Sequence, residues 1–210
     1  ADHDIRLSAN GTDSDLLITT VSASGNADVV LDADRDVLAI GATGTIAVTA
    51  ETAYLEAGRH ISLTTDIANV TATSVSGDIT VTESSAIRLD HIVTTNGAIG
   101  IQSAGHLVAV HVDSSFTADI NNAITLISTD GGIEVRSVDA GSAPATLNAQ
   151  SGSITQDWEP GVTAGGSETF ASAVIAPSGP DNDLLVTSSI PGPDFNDVTI
   201  RFAAGATGGL

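Results

Sequence analysis

Residues 77–101 read GDITVTESSAIRLDHIVTTNGAIGI. Ile79-x-Val81 alternates apolar and polar residues, a short gap follows, and Ile87-x-Leu89 alternates again before a turn at Asn96-Gly97. Ile99-x-Ile101 then restarts the pattern. One strand pair accounts for the first half of this stretch, but the restart calls for an architecture that repeats.

Working outward, the same period-2 motif recurs at Ile5-x-Leu7, Val29-x-Leu31, Ile46-x-Val48, Ile61-x-Leu63 and Ile124-x-Leu126. With Ile79 and Ile99 these form one column, spaced by 24, 17, 15, 18, 20 and 25 residues. A second column follows in most intervals, at Leu16-x-Ile18, Val37–Ile40, Ile87-x-Leu89, Leu107–Val112 and Ile133-x-Val135. Self-similarity near 20 residues, strand-like throughout and punctuated by turns, predicts stacked coils whose equivalent strands pair in parallel. Helical periodicity is absent between the motifs, which argues against parallel strands linked by helical crossovers. The expected fold is all-β, a right-handed parallel β-helix of about seven coils over residues 1–157. The alternative is a tandem of antiparallel β-sandwich modules, which strand length and turn frequency also suit.

Composition points the same way. The chain is 41% hydrophobic, yet between residues 1 and 157 its only aromatics are Tyr54 and Phe116. Sandwich cores lean on large aromatics, whereas thin rows of stacked aliphatics do not need them. Lys, Cys and Met are missing, and 26 acids against six arginines give a formal net charge of −20. That balance excludes the basic footprint nucleic acid needs and disfavours anionic membranes. No apolar run reaches the ~20 residues of a membrane span. The first residues, ADHDIRLSAN, carry no signal-peptide pattern, and with the abrupt end at ATGGL they suggest a mature or excised piece of a longer chain.

All six prolines lie from Pro144 onward, and Trp158 opens a stretch rich in Gly, Pro and Ser. Residues 158–180 are expected to be a cap or linker, with Trp158 closing the coil end. In 181–210, Leu184-x-Val186 and Val198-x-Ile200-x-Phe202 predict a β-hairpin, part of a truncated second module.

The lines GDITVTESSAIRLDHIVTTNGAIGIQSAG and GTIAVTAE resemble the coil repeats of filamentous haemagglutinin-like proteins, large secreted bacterial adhesins. The resemblance covers roughly residues 1–157, and NDLLVTSSIPGPDFNDVTIRF is similar to short β-modules of very large bacterial surface proteins. It implies a right-handed β-helix and a role in adhesion or scaffolding at the bacterial cell surface, and it brings no catalytic residues.

Several residues invite chemistry. If the strand at 29–31 continues, Asp28, Asp32, Asp34 and Asp36 share one face, where their repulsion would be relieved by Ca²⁺. The helix–loop–helix calcium pattern is not met, because Val37 and Thr43 stand where its Gly and Glu belong. The bland reading is a solvated acidic turn, and Asp13-x-Asp15 and Asp181-Asn182-Asp183 share the ambiguity. His3, His60, His91, His106 and His111 form no metal-spaced pair and read as surface or loop residues. Since β-helices also carry polysaccharide lyases and hydrolases, Asp90, Asp113 and Asp130 could approach one another across neighbouring coils near His91 and His111, but nothing in the sequence forces it. An ice-binding face would need Thr-x-Thr on every coil. The outward positions expected for the first column run Ala47, Ser62, Thr80, Gly100, Thr125 and Thr49, Thr64, Thr82, Gln102, Ile127, where Thr80 and Thr82 alone make the pair. The expected function is therefore a non-enzymatic, extracellular, stiff acidic stalk or scaffold. Its expected partners are other copies, end to end or laterally, and cell-surface glycans or matrix. The alternative is a carbohydrate-binding or carbohydrate-active β-helix.

Overall fold

The computed structural model describes residues 3–156 and the strands Ser172–Ile175 and Leu184–Thr187. The chain divides into two compact units, Ala1–Trp158 and Glu159–Leu210. The first is a parallel β-solenoid, and no helix occurs among the described residues. The rule that builds it is visible in Ile79–Glu83, where buried and exposed residues alternate strictly, with Ile79 and Val81 inside and Thr80 and Thr82 outside. β-Branched side chains suit both roles, packing against neighbours inward and filling the pleated surface outward.

One wall stacks seven rungs. Leu16 pairs with Val37, Val37 with Ile61, Ile61 with Ile79, Ile79 with Ile99, Ile99 with Ile124, and Ile124 with Ala145. The facing wall runs Ile5, Val29, Ala53, Val70, Leu89, Ala109, Val135, Gln156. A parallel row, Leu7, Leu31, Leu55, Ala72, Ile92, Val112, Val138, lines the same wall. Between the walls lies a core of Ala, Val, Leu and Ile without an aromatic. Each fully buried aliphatic side chain contributes roughly 1.5–3 kcal/mol of transfer free energy.

This register corrects the expected columns. Val29 pairs with Ala53 and not with Ile46, while Val37, expected in the second column, is the rung below Ile61. The expected first column thus jumped from one wall to the other between Val29 and Ile61. Both walls are written in the same aliphatic alternation, so spacing alone does not separate them. In the true wall the rungs start at 16, 37, 61, 79, 99, 124 and 145, a narrower spread than the expected column shows.

The corners hold the polar interior. At the end of the first wall Thr65, Glu83, Ser103 and Ser128 are register partners, and all four are buried. Ser103 Oγ donates to the Ser85 carbonyl at 2.6 Å, and Ser128 Oγ donates to the Gly105 carbonyl at 2.8 Å. At the opposite corner Thr94 Oγ1 donates to the Gly77 carbonyl at 2.8 Å. Buried hydroxyls thereby satisfy the Gly77 and Gly105 turn carbonyls and add a second bond to the Ser85 carbonyl, which also accepts the Gly105 N–H at 2.9 Å. The turns stack closely enough that a Cβ on Gly97 would collide with the Gly77 carbonyl, which explains a glycine in the Asn-Gly turn of the opening stretch. The longest coil, from Ile99 to Ile124, places its extra residues in a loop fixed by Asn122. The Asn122 Nδ2 donates to Thr117 Oγ1 at 2.7 Å, and its carbonyl accepts from Ser114 Oγ at 2.6 Å.

In the second unit Leu184–Thr187 pairs antiparallel with Ser172–Ile175, so its partner strand comes from within the expected linker. The expected Val198–Phe202 strand and the Trp158 cap lie outside the described residues.

Candidate functional site

The acidic residues singled out in the sequence are the first place to look for chemistry. The strand carrying Asp28 and Asp32 ends at Ala33, so Asp34 and Asp36 leave its face and the four carboxylates do not form one array. Asp32 stays outward, with an oxygen 3.8 Å from the Arg6 guanidinium. The Asp34 carboxylate accepts the Gly11 N–H at 2.7 Å across a coil. Asp28 contributes its N–H to the Asp4 carboxylate at 3.0 Å. Asp36 turns inward and is 6% exposed. Among the described residues no three His, Cys, Asp or Glu side chains gather as a metal would require.

Asp36 instead belongs to a charge ladder that climbs three coils. Its carboxylate accepts both Arg59 Nη2, at 2.7 Å, and Arg59 Nε, at 3.2 Å, and also the His60 N–H at 3.0 Å. One coil below, Arg35 makes the same two-pronged contact with Asp15, with Nε 2.5 Å from Oδ1 and Nη2 against Oδ2. Arg35 Nε also lies 3.7 Å from Asp36 and joins the pairs into Asp15–Arg35–Asp36–Arg59. The Arg59 guanidinium, ahead of the His60 N–H, holds the Asp36 carboxyl below the usual carboxylate range against the upward push of burial. Arg35 does the same for Asp15. The expected acidic clusters are in this part fasteners between turns, and the forked guanidinium geometry explains why Arg does the work.

A shallow open groove of about 510 Å³ crosses the first coils, lined by Ser22, Thr49, Glu51, Asp66, Ile67 and Ser85 among others. Behind it sits Glu83, 2% exposed. One Glu83 oxygen accepts from Thr65 Oγ1 at 2.8 Å and from the Ile67 N–H at 3.0 Å. The other accepts from the Ser85 N–H at 2.8 Å and Ser85 Oγ at 2.9 Å. Desolvation is the largest influence and pushes the Glu83 carboxyl up, with the four donors opposing it. Ser85 Oγ is also 3.3 Å from the Asp66 carboxylate, which lines the groove. The groove presents short side chains and two acids, and its buried acid does not reach the surface. That arrangement can hydrogen-bond a hydroxyl-rich ligand but offers no aromatic platform among the described residues.

Sequence reasoning missed Glu83 altogether, because a single Glu in an alternating strand looks like any outward residue. The signal was its place in the Ile-x-Val-x-Glu frame, which makes the fifth residue inward. It also missed that His91 and His111 stack, with ring centroids 4.9 Å apart and planes 15° from parallel. Their separation of 20 residues equals one coil, so they are neighbours on successive rungs. Asp90, Asp113 and Asp130 do not converge. Asp90 accepts from Arg88 Nε at 2.6 Å, Asp113 caps the Ser115 N–H at 2.7 Å, and Asp130 is an exposed turn residue. No buried side-chain N or O among the described residues lacks a hydrogen-bond partner.

Comparison with protein-family models, with curated proteins and with solved structures gives no match in any of the three.

Proposed function

We propose that this chain is a structural segment, a non-enzymatic acidic stalk or scaffold of the bacterial cell surface, whose work is to hold and space other regions. One observation carries the reading: the buried polar groups are spent on the architecture itself. Corner hydroxyls close turns, Asp15, Arg35, Asp36 and Arg59 tie coils together, and no buried polar side-chain atom among the described residues is left over to meet a substrate. The acidic exterior keeps such a rod hydrated and separated from its neighbours. Adhesion to glycans or matrix fits the same setting. The decisive experiment incubates the whole chain with a polysaccharide panel, with calcium and with chelator, and follows both binding and product release. The scaffold reading expects no product in either condition; released oligosaccharide would overturn it.

The groove favours a second reading, carbohydrate binding without cleavage. Retention on one glycan, lost on Asp66→Asn or Glu51→Gln, would support it.

A further inference from the structure

The first wall of the solenoid has an outer surface unlike that of the facing wall. Its outward row, in register, is Leu17, Leu38, Ser62, Thr80, Gly100, Thr125, Thr146. The second row is Thr64, Thr82, Gln102, Ile127, Asn148. No residue in either row is charged. The facing wall's outward columns carry Arg6, Asp28, Asp32, Glu56, Arg88 and Asp113. Charge is therefore segregated, in a chain whose formal net charge is −20. The neutral wall is also open. Leu17 is 52% exposed, Ile40 just past its strand is 56% exposed, and a Cβ on Gly100 would meet nothing within 4 Å. Ala47, expected among the outward residues, is instead buried, and this sharpens the division between the core and the neutral surface.

We propose that this wall is the contact surface for a second copy of the chain, packed wall to wall. Electrostatics selects the occupant. Two bodies of this charge repel wherever acids face one another, and the neutral wall is a surface on which close approach adds no like-charge contact. Short Ser, Thr and Gly side chains on a pleated sheet permit the close packing of one sheet face on another at about 10 Å. The size of the wall sets the strength. Seven rungs about 4.8 Å apart, five of them five residues wide and two of them three, cover roughly 500 Å² per copy, or about 1,000 Å² for the pair. That is the lower edge of specific interfaces, so the pairing is weak and concentration-dependent. The remaining charge still repels, and salt shortens that repulsion to a range of about 8–10 Å at physiological strength. Association therefore strengthens as salt rises, opposite to an interface held by ion pairs.

The pairing deepens the scaffold reading, on which its use rests, and the two fail separately. Released oligosaccharide would end the scaffold reading and leave the pairing untouched, while a chain monomeric under all conditions would end the pairing alone.

The test is sedimentation velocity on the whole chain over a range of concentration and NaCl, with the folded state of each variant checked by circular dichroism. The unmodified chain is expected to associate reversibly and more strongly at high salt. Thr82→Asp with Gln102→Asp, both on exposed positions of the wall, is expected to weaken association at least about tenfold by placing like charges in contact. Thr95→Asp, on an exposed turn, is expected to leave it unchanged. Since the chain has no cysteine, Thr82→Cys on the middle rung supplies a single thiol, and disulfide-linked dimers are expected on mild oxidation at high concentration. A monomer at every concentration and salt overturns the proposal. So does association that ignores the wall variants, which would place the contact at the coil ends. Retention of a monomeric chain on a flat neutral polysaccharide, lost in Thr82→Asp with Gln102→Asp, would also overturn it and reassign the wall.

Discussion

Asp36 shows how a strongly acidic chain uses a carboxylate inside. Its two oxygens are occupied by Arg59 and the His60 N–H, so replacing it strands a guanidinium and a backbone donor at once. Asp36→Ala is expected to cost about 1 kcal/mol, held down by the solvent that reaches Arg59, in urea unfolding at neutral pH. The fold binds the ionised form, so the stabilisation is full above the ordinary carboxylate range and is lost as pH falls through the lowered value. The difference between the parent and Asp36→Ala should therefore shrink on acidification; a difference independent of pH would contradict the ion-pair account. Glu83 has the opposite sign. Burial raises its carboxyl, so its contribution is greatest in acid and is lost as pH rises through the raised value. Measured by the same unfolding curves, Glu83→Gln should compare worst with the parent at low pH and least badly at neutral pH. These two acids look alike in the sequence, and only the frame of the strand or turn in which each stands tells them apart.

At the scale of the element, stability comes from rows rather than from single contacts. Ile99 is sandwiched between Ile79 below and Ile124 above, so truncating it opens a cavity that neither neighbour can close. Ile99→Ala is expected to lose about 2–5 kcal/mol in chemical denaturation, whereas Thr80→Val, outward on the same wall, should fall within about 0.5 kcal/mol. The alternation that makes this contrast was legible in the sequence: GDITVTESSAIRLDHIVTTNGAIGI told inward aliphatics from outward residues and announced the coil, though not the inward Glu83. The sequence did not disclose which wall each motif joined, because Val29-x-Leu31 and Ile61-x-Leu63 are chemically the same statement. Turn geometry separates them, and it depends on partners such as Asp34 with Gly11 that lie a whole coil apart. The acidic site was legible as composition and not as arrangement, since the common face of Asp28, Asp32, Asp34 and Asp36 required a strand that stops at Ala33. Stacking of His91 on His111 was hidden for the same reason, as it becomes visible once the coil length there is known.

For the solenoid as a whole, the central claim is the parallel register, since it sorts charge from neutrality and core from surface. A chain without cysteine allows a direct test. Thr64 and Thr82 are outward partners on adjacent rungs, and Gln102 lies one rung further on. Neighbouring rungs about 4.8 Å apart fall within disulfide reach, and rungs about 10 Å apart do not. The measurement is oxidation at high dilution of two double variants, Thr64→Cys with Thr82→Cys and Thr64→Cys with Gln102→Cys, with the intramolecular bond read by mass spectrometry. The stacked-coil register predicts rapid closure of the first pair and none of the second; closure of both alike, or of the second alone, would contradict it.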